Sequence, residues 1–419
     1  MQYKKRDLED RIKDSLKIFP VIAITGPRQA GKSTLIKHYT ENSKEEWKYF
    51  SLDNFELRTR IKEDPDIFAD SINTNIVIDE AQKAPELFHS LKELIDQGFP
   101  HKIILSGSAN FLLMKAITES LAGRIGLLEL LPFSLSEAYS MKSNNLITKI
   151  LNNAGVKELL NTLNKIEKNK ISNDKLLKFV LSGGYPRIHA LKRDSHYEWF
   201  QAYISTYIEK DLRDLSQIGN LDAFQKVYRL LAFQTANILN TNSASSDIGV
   251  DLKTVKHYSS ILETSYQCKF VPAYLSNIRK QLIKKPKVFY LDTGLVNYFL
   301  KNESVEEMLN KGGWGNILET YVFSQIYKET KDITSKPSLY FWRTNNGAEV
   351  DFIISSGTKL FPIEVKSAVK IDHYSIRGLK SFLETAPDKA VTYGIVLYRG
   401  KEIALIDKNI IAIPVNYLF

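Results

Sequence analysis

The sequence has one cysteine, Cys268, in 419 residues. A single thiol forms no disulfide within the chain, and thiolate zinc sites of the usual kind need more than one. Long apolar runs are missing as well. None approaches the roughly 18 residues of a membrane-spanning helix, and the opening "MQYKKRDLEDRIKDSL" is charged where a signal peptide has its apolar core. These absences predict a cytoplasmic protein with no membrane partner. Acidic residues are in deficit, 48 against 57 lysines and arginines, for a formal charge of +9. That balance favours a polyanionic partner but does not say where on the surface it would bind. With 43% hydrophobic residues the chain has material for several cores, and its length predicts two or three domains rather than one.

Near the N-terminus, Leu8, Ile12, Leu16 and Ile18 have the spacing of an amphipathic helix. "FPVIAITG" then reads as a short strand feeding "GPRQAGKST", which fits the phosphate-loop pattern G-x-x-x-x-G-K-[ST]. Backbone N–H groups of Gly26, Pro27, Arg28, Gln29, Ala30, Gly31, Lys32, Ser33 and Thr34, the proline excepted, are placed to wrap ATP phosphates at a helix N-terminus. Lys32 is expected to reach the β- and γ-phosphates, and the Ser33 hydroxyl to enter a Mg²⁺ shell. A second strand, "IVIDE", delivers Asp79 as a further Mg²⁺ ligand and Glu80 as the group that polarises the attacking water. That pairing favours hydrolysis over transfer to a small acceptor, which counts against a small-molecule kinase. A third strand ends in Ser106, Ser108 and Asn110, any of which could sense the γ-phosphate, Ser108 being the one carried forward as nucleotide-binding. Arg124, in the glycine-flanked "SLAGRIG", is a candidate for stabilising transition-state charge in a neighbouring subunit.

The fold class expected is multidomain α/β. Residues 1–140 form a P-loop parallel sheet, 141–178 a helical connector or lid, 179–305 a helical and winged-helix part, and 306–419 an α/β domain of different architecture. In order along the chain, "GPRQAGKSTL", "IVIDEAQ", "LSGSAN", "SLAGRI" with "LPFSLSE", "GGYPR", "YIEKDLRDL", "FYLDTGL" and "GAEVDF" with "IEVKS" carry a resemblance over nearly the whole length. The chain resembles the bacterial and archaeal predicted ATPases of the AAA+ superfamily that bear a C-terminal domain of unknown function. The resemblance implies ATP binding and hydrolysis, and hydrolysis is then expected to require a homo-oligomer.

In the middle part, two helical stretches either side of "GVD" fit a helix-turn-helix, with Val255, Tyr258 and Leu262 on the apolar face and Lys253, Lys256 and His257 pointing away. "SNIRKQLIKKPK" is expected to place Arg279, Lys280, Lys284, Lys285 and Lys287 on an exposed basic wing, suited to DNA, with RNA left open. Near the C-terminus, period-2 alternation in "EVDFII" puts Val350, Phe352 and Ile354 on one face and Glu349 and Asp351 on the other. A hairpin through "SSGT" then brings Asp351, Glu364 and Lys366 together, and a helix over "NILETYVFSQIYKE" carries Glu319 towards them. This order of helix acid, strand Asp and Glu-x-Lys resembles restriction-endonuclease-like folds. It implies that Asp351 and Glu364 hold one or two Mg²⁺ ions, Mn²⁺ being an alternative, while Lys366 orients water or neutralises a phosphate. The plainer reading is a hairpin with a charged outer face. Two functions therefore stand: an ATP-regulated DNA-processing enzyme, or a nucleotide-driven switch with a catalytically inactive C-terminal half.

Overall fold

The structure is a computed structural model describing residues 3–107, 117, 119–166, 171–214, 218–275, 284–372, 374–386 and 393–418, with the backbone alone for 207–214. Its first domain is built on runs of β-branched and aliphatic residues too short for buried helices. β1 (Val21–Thr25), β2 (Trp47–Ser51), β3 (Asn75–Asp79), β4 (Ile103–Ser106) and β5 (Ile125–Glu129) form a parallel sheet in the order β2-β3-β4-β1-β5. Alternation along the strands feeds two cores. Val21, Ala23, Ile76, Ile78 and Leu105 face a cluster with Leu87 and Leu91 of α3 (Leu87–Asp96). Ile22, Ile24, Val77 and Ile104 face Leu8 and Ile12 of α1 (Leu8–Ile18) and Leu35 and Ile36 of α2 (Lys32–Glu41). The α1 stripe ends sooner than its spacing predicts, since Leu16 is buried but Ile18 is 73% exposed. Because all five strands run the same way, β1 and β3 end at the same sheet edge, and their loops meet there.

The middle part contains the expected pair of helices, α8 (Thr241–Ile248) and α9 (Leu252–Thr264), between them Gly249 in the left-handed region (φ 64). Preceding these, along the chain, lie α4 (Leu135–Ala138), α5 (Asn173–Ser182), α6 (His196–Asp214) and α7 (Leu221–Phe233). Val255, Tyr258 and Leu262 are buried, while Lys253, Lys256 and His257 are exposed. A small antiparallel sheet accompanies the helices, in the order β6 (Asn237–Ile238), β8 (Lys287–Tyr290), β7 (Cys268–Val271). Arg279 and Lys280 lie outside the described residues, and Lys284 and Lys285 are exposed. Lys287 departs from expectation. It is the first residue of β8, buried, and shares a strand face with Phe289, whose ring stacks 4.4 Å from Phe323 and 5.4 Å from Phe352 of the next domain. Period-2 geometry therefore turns Lys287 inward to the C-terminal part, away from any exposed wing.

After α10 (Thr293–Phe299) and α11 (Trp314–Asp332), the C-terminal domain is a mixed sheet in the order β13-β14-β12-β11-β10-β9. β9 (Ser338–Arg343), β10 (Glu349–Ser356) and β11 (Lys359–Lys366) are antiparallel, whereas β12 (Gly394–Tyr398) runs parallel to β11 and to β14 (Ile410–Pro414). β13 (Ala404–Asp407) closes the edge antiparallel to β14, and α12 (Arg377–Thr385) packs on β10 and β11. The β9–β10 register shifts between Val350 and Ile353, a β-bulge, so the expected single apolar face is split. Val350 and Ile353 join the core with Leu379 and Phe382 of α12, while Phe352 and Ile354 join the one containing α11.

That second core is the largest among the described residues and runs from Leu131 to Leu418, drawing on the middle and C-terminal parts alike. The 141–178 segment belongs to it through Leu146, Ile147, Ile150, Leu159, Leu163, Ile171, Leu176 and Leu177. It is also tied to α11, because Ile147 N and Thr148 N donate to the Glu329 carboxylate at 3.1 and 2.8 Å. Middle and C-terminal parts are thus packed as one body. No described helix is long and apolar enough to cross a membrane.

Candidate functional site

The phosphate loop connects β1 to α2. Gly26 has φ 142, and a methyl group there would fall 2.0 Å from the Leu130 carbonyl oxygen, so packing against the end of β5 demands glycine. Gly31, at φ 97, caps α2. Lys32 is buried, and its Nζ donates to the carbonyl oxygens of Gly26 and Pro27 at 2.9 Å each. Ala30 is buried, whereas Gln29 and Thr34 are exposed and Arg28 is half-buried. The residues from Gly26 to Thr34 thus form one turn between β1 and α2 and the first residues of that helix.

Asp79, at the end of β3, is buried beside this loop. Its Oδ1 accepts from the Ser106 hydroxyl and its Oδ2 from the Tyr49 hydroxyl. Burial pushes the carboxyl pKa up, but hydrogen bonds from Ser106, Tyr49 and Ser33 together outweigh it, and the net shift is downward. The carboxylate stays ionised next to the Ser33 hydroxyl, a donor set that fits a shared Mg²⁺. Glu80 follows in the left-handed region (φ 57), unusual for a residue with a Cβ, and its Oε2 accepts from Gln82 Nε2 at 2.5 Å. Of the three residues at the end of β4, Ser106 reaches Asp79, and Ser108 and Asn110 lie outside the described residues. Arg124 precedes β5, at the sheet edge opposite the loop, and forms a bidentate pair with Asp96 (Nε–Oδ1 2.6 Å, Nη2–Oδ2 2.9 Å).

Two contributors were invisible in the motifs. Tyr49 is one, since its position on β2 beside β3 follows only from strand order. Arg6 is the other. Its buried guanidinium donates to Ala30 O (2.9 Å), Leu131 O (2.6 Å) and Glu137 Oε1 (3.0 Å), and it lies 4.7 Å from the Phe133 ring centroid. Glu137 in turn closes a capping box with Ser134 at the start of α4. The loop is therefore clamped from outside its own motif.

The middle domain touches the loop at its β1 end and comes near it at Gly31. Tyr266 Oη lies 2.9 Å from Thr25 Oγ1, and a methyl group at Gly31 would lie 3.8 Å from Cγ of Pro186. Pro186 follows the Gly183–Gly184 turn, whose Gly184 amide donates to Asp292 Oδ2 at 2.6 Å and whose Gly184 carbonyl accepts from Phe133 N at 2.7 Å. Asp292 caps α10 and lies two residues beyond β8.

At the other end of β8, Lys287 meets the acidic residues of the C-terminal domain. Its Nζ is 3.0 Å from Glu319 Oε1 and 3.5 Å from Asp351 Oδ1, and it also pairs with Glu349. Burial alone would lower the lysine pKa, but Glu319, Asp351 and Glu349 override it and raise it, so the ammonium is retained. Glu319 is pushed well up, by burial first and then by the Asp351 charge. Asp351 Oδ2 accepts from Val365 N at 2.8 Å, and Glu364 Oε1 pairs with Lys366 Nζ at 2.6 Å. Glu364 is raised to about 8 by burial and by Asp351. Glu319, Asp351, Glu364 and Lys366 are therefore brought into one neighbourhood, with Lys287 among them. The implied Mg²⁺ or Mn²⁺ pair of Asp351 and Glu364 fits only in part. Among the described residues no group of three or more His, Cys, Asp or Glu side chains is gathered to hold a metal ion, although Glu364 Oε2 is buried without a hydrogen-bond partner.

Comparison with known proteins agrees with the N-terminal geometry. Residues 19–139 match the family described as an AAA domain, and residues 173–306 and 314–418 match two domains of unknown function (DUF8612 and DUF4143). An uncharacterised protein of Mycobacterium tuberculosis is 24% identical over 421 residues, covering 100% of this chain and 85% of its own length. One of Methanocaldococcus jannaschii is 24% identical over 333 residues, covering 76% and 68%. Among solved structures, the Walker-type ATPase PABY2304 of Pyrococcus abyssi aligns with a TM-score of 0.46 and 16% identity, over 71% of this chain and 96% of that one. The RuvB Holliday junction branch migration motor of Thermotoga maritima aligns at 0.29 and 14%, over 67% and 94%. The loop geometry and the AAA-domain match make the N-terminal part a P-loop ATPase domain, which implies ATP and usually Mg²⁺ as its ligands.

Proposed function

We propose that the protein is an ATP-hydrolysing switch whose nucleotide state is passed through the middle domain to the C-terminal domain. The observation that carries this reading is the hydrogen bond between Tyr266 of the middle domain and Thr25, where β1 runs into the phosphate loop. A shift of the loop around a γ-phosphate would then be felt at Tyr266. Bound Mg²⁺ would neutralise phosphate charge. Ser33 and Asp79 are the side chains that would hold it, Lys32 binds the β- and γ-phosphates, and Glu80 polarises the attacking water. Arg124 lies at the edge opposite its own loop, so any role in charge stabilisation would be exerted on a neighbouring subunit of a homo-oligomer. Polyanion binding, DNA foremost, is assigned to the exposed Lys253, Lys256 and His257 of α9 with Lys284 and Lys285.

A second reading, metal-dependent phosphodiester cleavage in the C-terminal domain, is favoured by one observation: Asp351, Glu364 and Lys366 adjoin, with Glu364 Oε2 accepting no hydrogen bond from the described residues. The two are separated by comparing Glu80→Gln with Asp351→Ala. Glu80→Gln is expected to bind ATP while its turnover falls by about 10²–10⁴-fold. Labelled DNA and RNA are then incubated with Mg²⁺ or Mn²⁺, with and without ATP. Cleavage that disappears in Asp351→Ala would install the second reading, and nucleotide-dependent assembly indifferent to Asp351→Ala supports the switch. ATP turnover unaltered by Glu80→Gln would remove the assignment of Glu80.

A further inference from the structure

β8 delivers a lysine from one domain into the acidic cluster of another. Lys287 is almost wholly enclosed, its side chain 3% exposed, and its ammonium serves Glu319, Glu349 and Asp351, which come from α11 and β10. A buried charge of this kind costs free energy unless its partners repay it, and a fully apolar cluster in place of the lysine and its acidic partners together would serve a purely structural end as well. The partners also exceed what one ammonium neutralises. Three carboxylates converge on it, and a fourth, Glu364, stands beside Asp351 with 7% exposure and an Oε2 that nothing among the described residues hydrogen-bonds. Against these four stand Lys287, Lys366 on Glu364 and the exposed Arg343, 3.4 Å from Glu349 Oε2, so the neighbourhood has one cation too few and one oxygen left over, as a partly filled cation site would.

We infer that Lys287 is a built-in counter-ion that competes with a divalent metal for the carboxylates of Glu319, Glu349, Asp351 and Glu364. A tethered ammonium is present at high effective concentration, and it donates hydrogen bonds that satisfy oxygens a hydrated ion would otherwise have to reach. The metal enters only where the ammonium withdraws or is removed, and Lys366, paired to Glu364 on the outer side, stays as the second fixed cation. The inference rests on reading this cluster as a cation site, and requires no phosphodiester cleavage.

The test is Mn²⁺ binding to the full chain without nucleotide, read from the free-ion signal in electron paramagnetic resonance. The wild-type protein is expected to take up no Mn²⁺ at this cluster at micromolar concentration. Lys287→Met is expected to gain one equivalent, bound at least tenfold tighter than any wild-type site, and Lys287→Met with Asp351→Asn to lose it again. Should stranded carboxylates keep Lys287→Met from folding, Lys287→Met with Glu349→Gln removes one negative charge along with the positive one. ATP turnover of each preparation reports its folding. A Lys287→Met protein that hydrolyses ATP but binds no more Mn²⁺ than wild type overturns the inference, as does a wild-type protein that already binds Mn²⁺ through Asp351. Mn²⁺ uptake without cleavage of DNA or RNA by Lys287→Met would sustain the counter-ion and dismiss only the nuclease reading.

Discussion

Replacing Arg6 with methionine keeps most of the stem and removes every donor of the guanidinium. Arg6 and Glu137 are 5% and 7% exposed, so the lost pair is a desolvated one. Breaking such a pair from one side costs about 3–5 kcal/mol because the surviving charge stays buried. Glu137 keeps Asp7 N and Ser134 N as donors at 3.0 and 2.8 Å, which places the loss at the lower end. The carbonyls of Ala30 and Leu131, 2.9 and 2.6 Å from the guanidinium, lose a donor each, adding about 1 kcal/mol apiece. A total near 5 kcal/mol is expected, read as the shift in urea midpoint scaled by the unfolding slope. Since one of those carbonyls belongs to the phosphate loop, kcat/KM for ATP should also fall by about 10- to 100-fold, the effect of moving a binding group by a fraction of an ångström to one ångström. Adding Glu137→Leu should return part of the stability by removing the stranded charge. A single substitution costing under about 1 kcal/mol, with kcat/KM unchanged, would refute the idea that this guanidinium holds the loop.

Two further predictions concern the turn that meets the loop. His189 stacks on Phe179 and bonds to Gly183 O at 3.0 Å, and burial, with Lys4 nearby, pulls its pKa from 6.5 to about 4. A depressed pKa means that the folded state prefers the neutral ring. The stability it confers is complete above pH 6.5 and drains away as pH falls through 4, amounting to about 3 kcal/mol, and His189→Gln should flatten that part of the acid-denaturation profile. An unchanged profile would show that the ring is not held neutral by burial. Gly183→Ala would set a methyl group 2.2 Å from Asp292 Oδ1 at φ +75, whereas Gly98→Ala, at φ +89, meets nothing within 4 Å. Urea unfolding should register a loss of more than about 2 kcal/mol for the first and about 1 kcal/mol for the second, and equal losses would discount the Asp292 contact.

What the sequence disclosed was local. Gly26, Gly31, Lys32 and Ser33 sit within one turn, and Asp79 follows three apolar neighbours, Ile76 to Ile78, on a buried strand, so spacing alone located them. Burial of Val255, Tyr258 and Leu262 was legible for the same reason. Partners distant in the chain were not. Arg6 reaches Glu137 across 131 positions, and nothing in "YKKRDL" separates it from its basic neighbours. Lys287 was misread as exposed because Lys284 and Lys285 precede it, although alternation past Pro286 puts it on the side of Phe289, and that was the available signal. The bulge at Val350–Ile353 could not be read from alternation, which assumes an unbroken ladder.

β8 is only four residues long, Lys287 to Tyr290, which at strand rise amounts to about 13 Å. Extended backbone hardly compresses along its axis, and this one is gripped by a neighbour on each side, β6 and β7. It therefore links two places stiffly: one end carries the ammonium among the carboxylates, the other runs on to Asp292 and the Gly184 amide. A displacement passed along it from the Gly184 turn would change how well a positive charge is seated in the acidic cluster. Chemistry at one end would be read at the other as electrostatics.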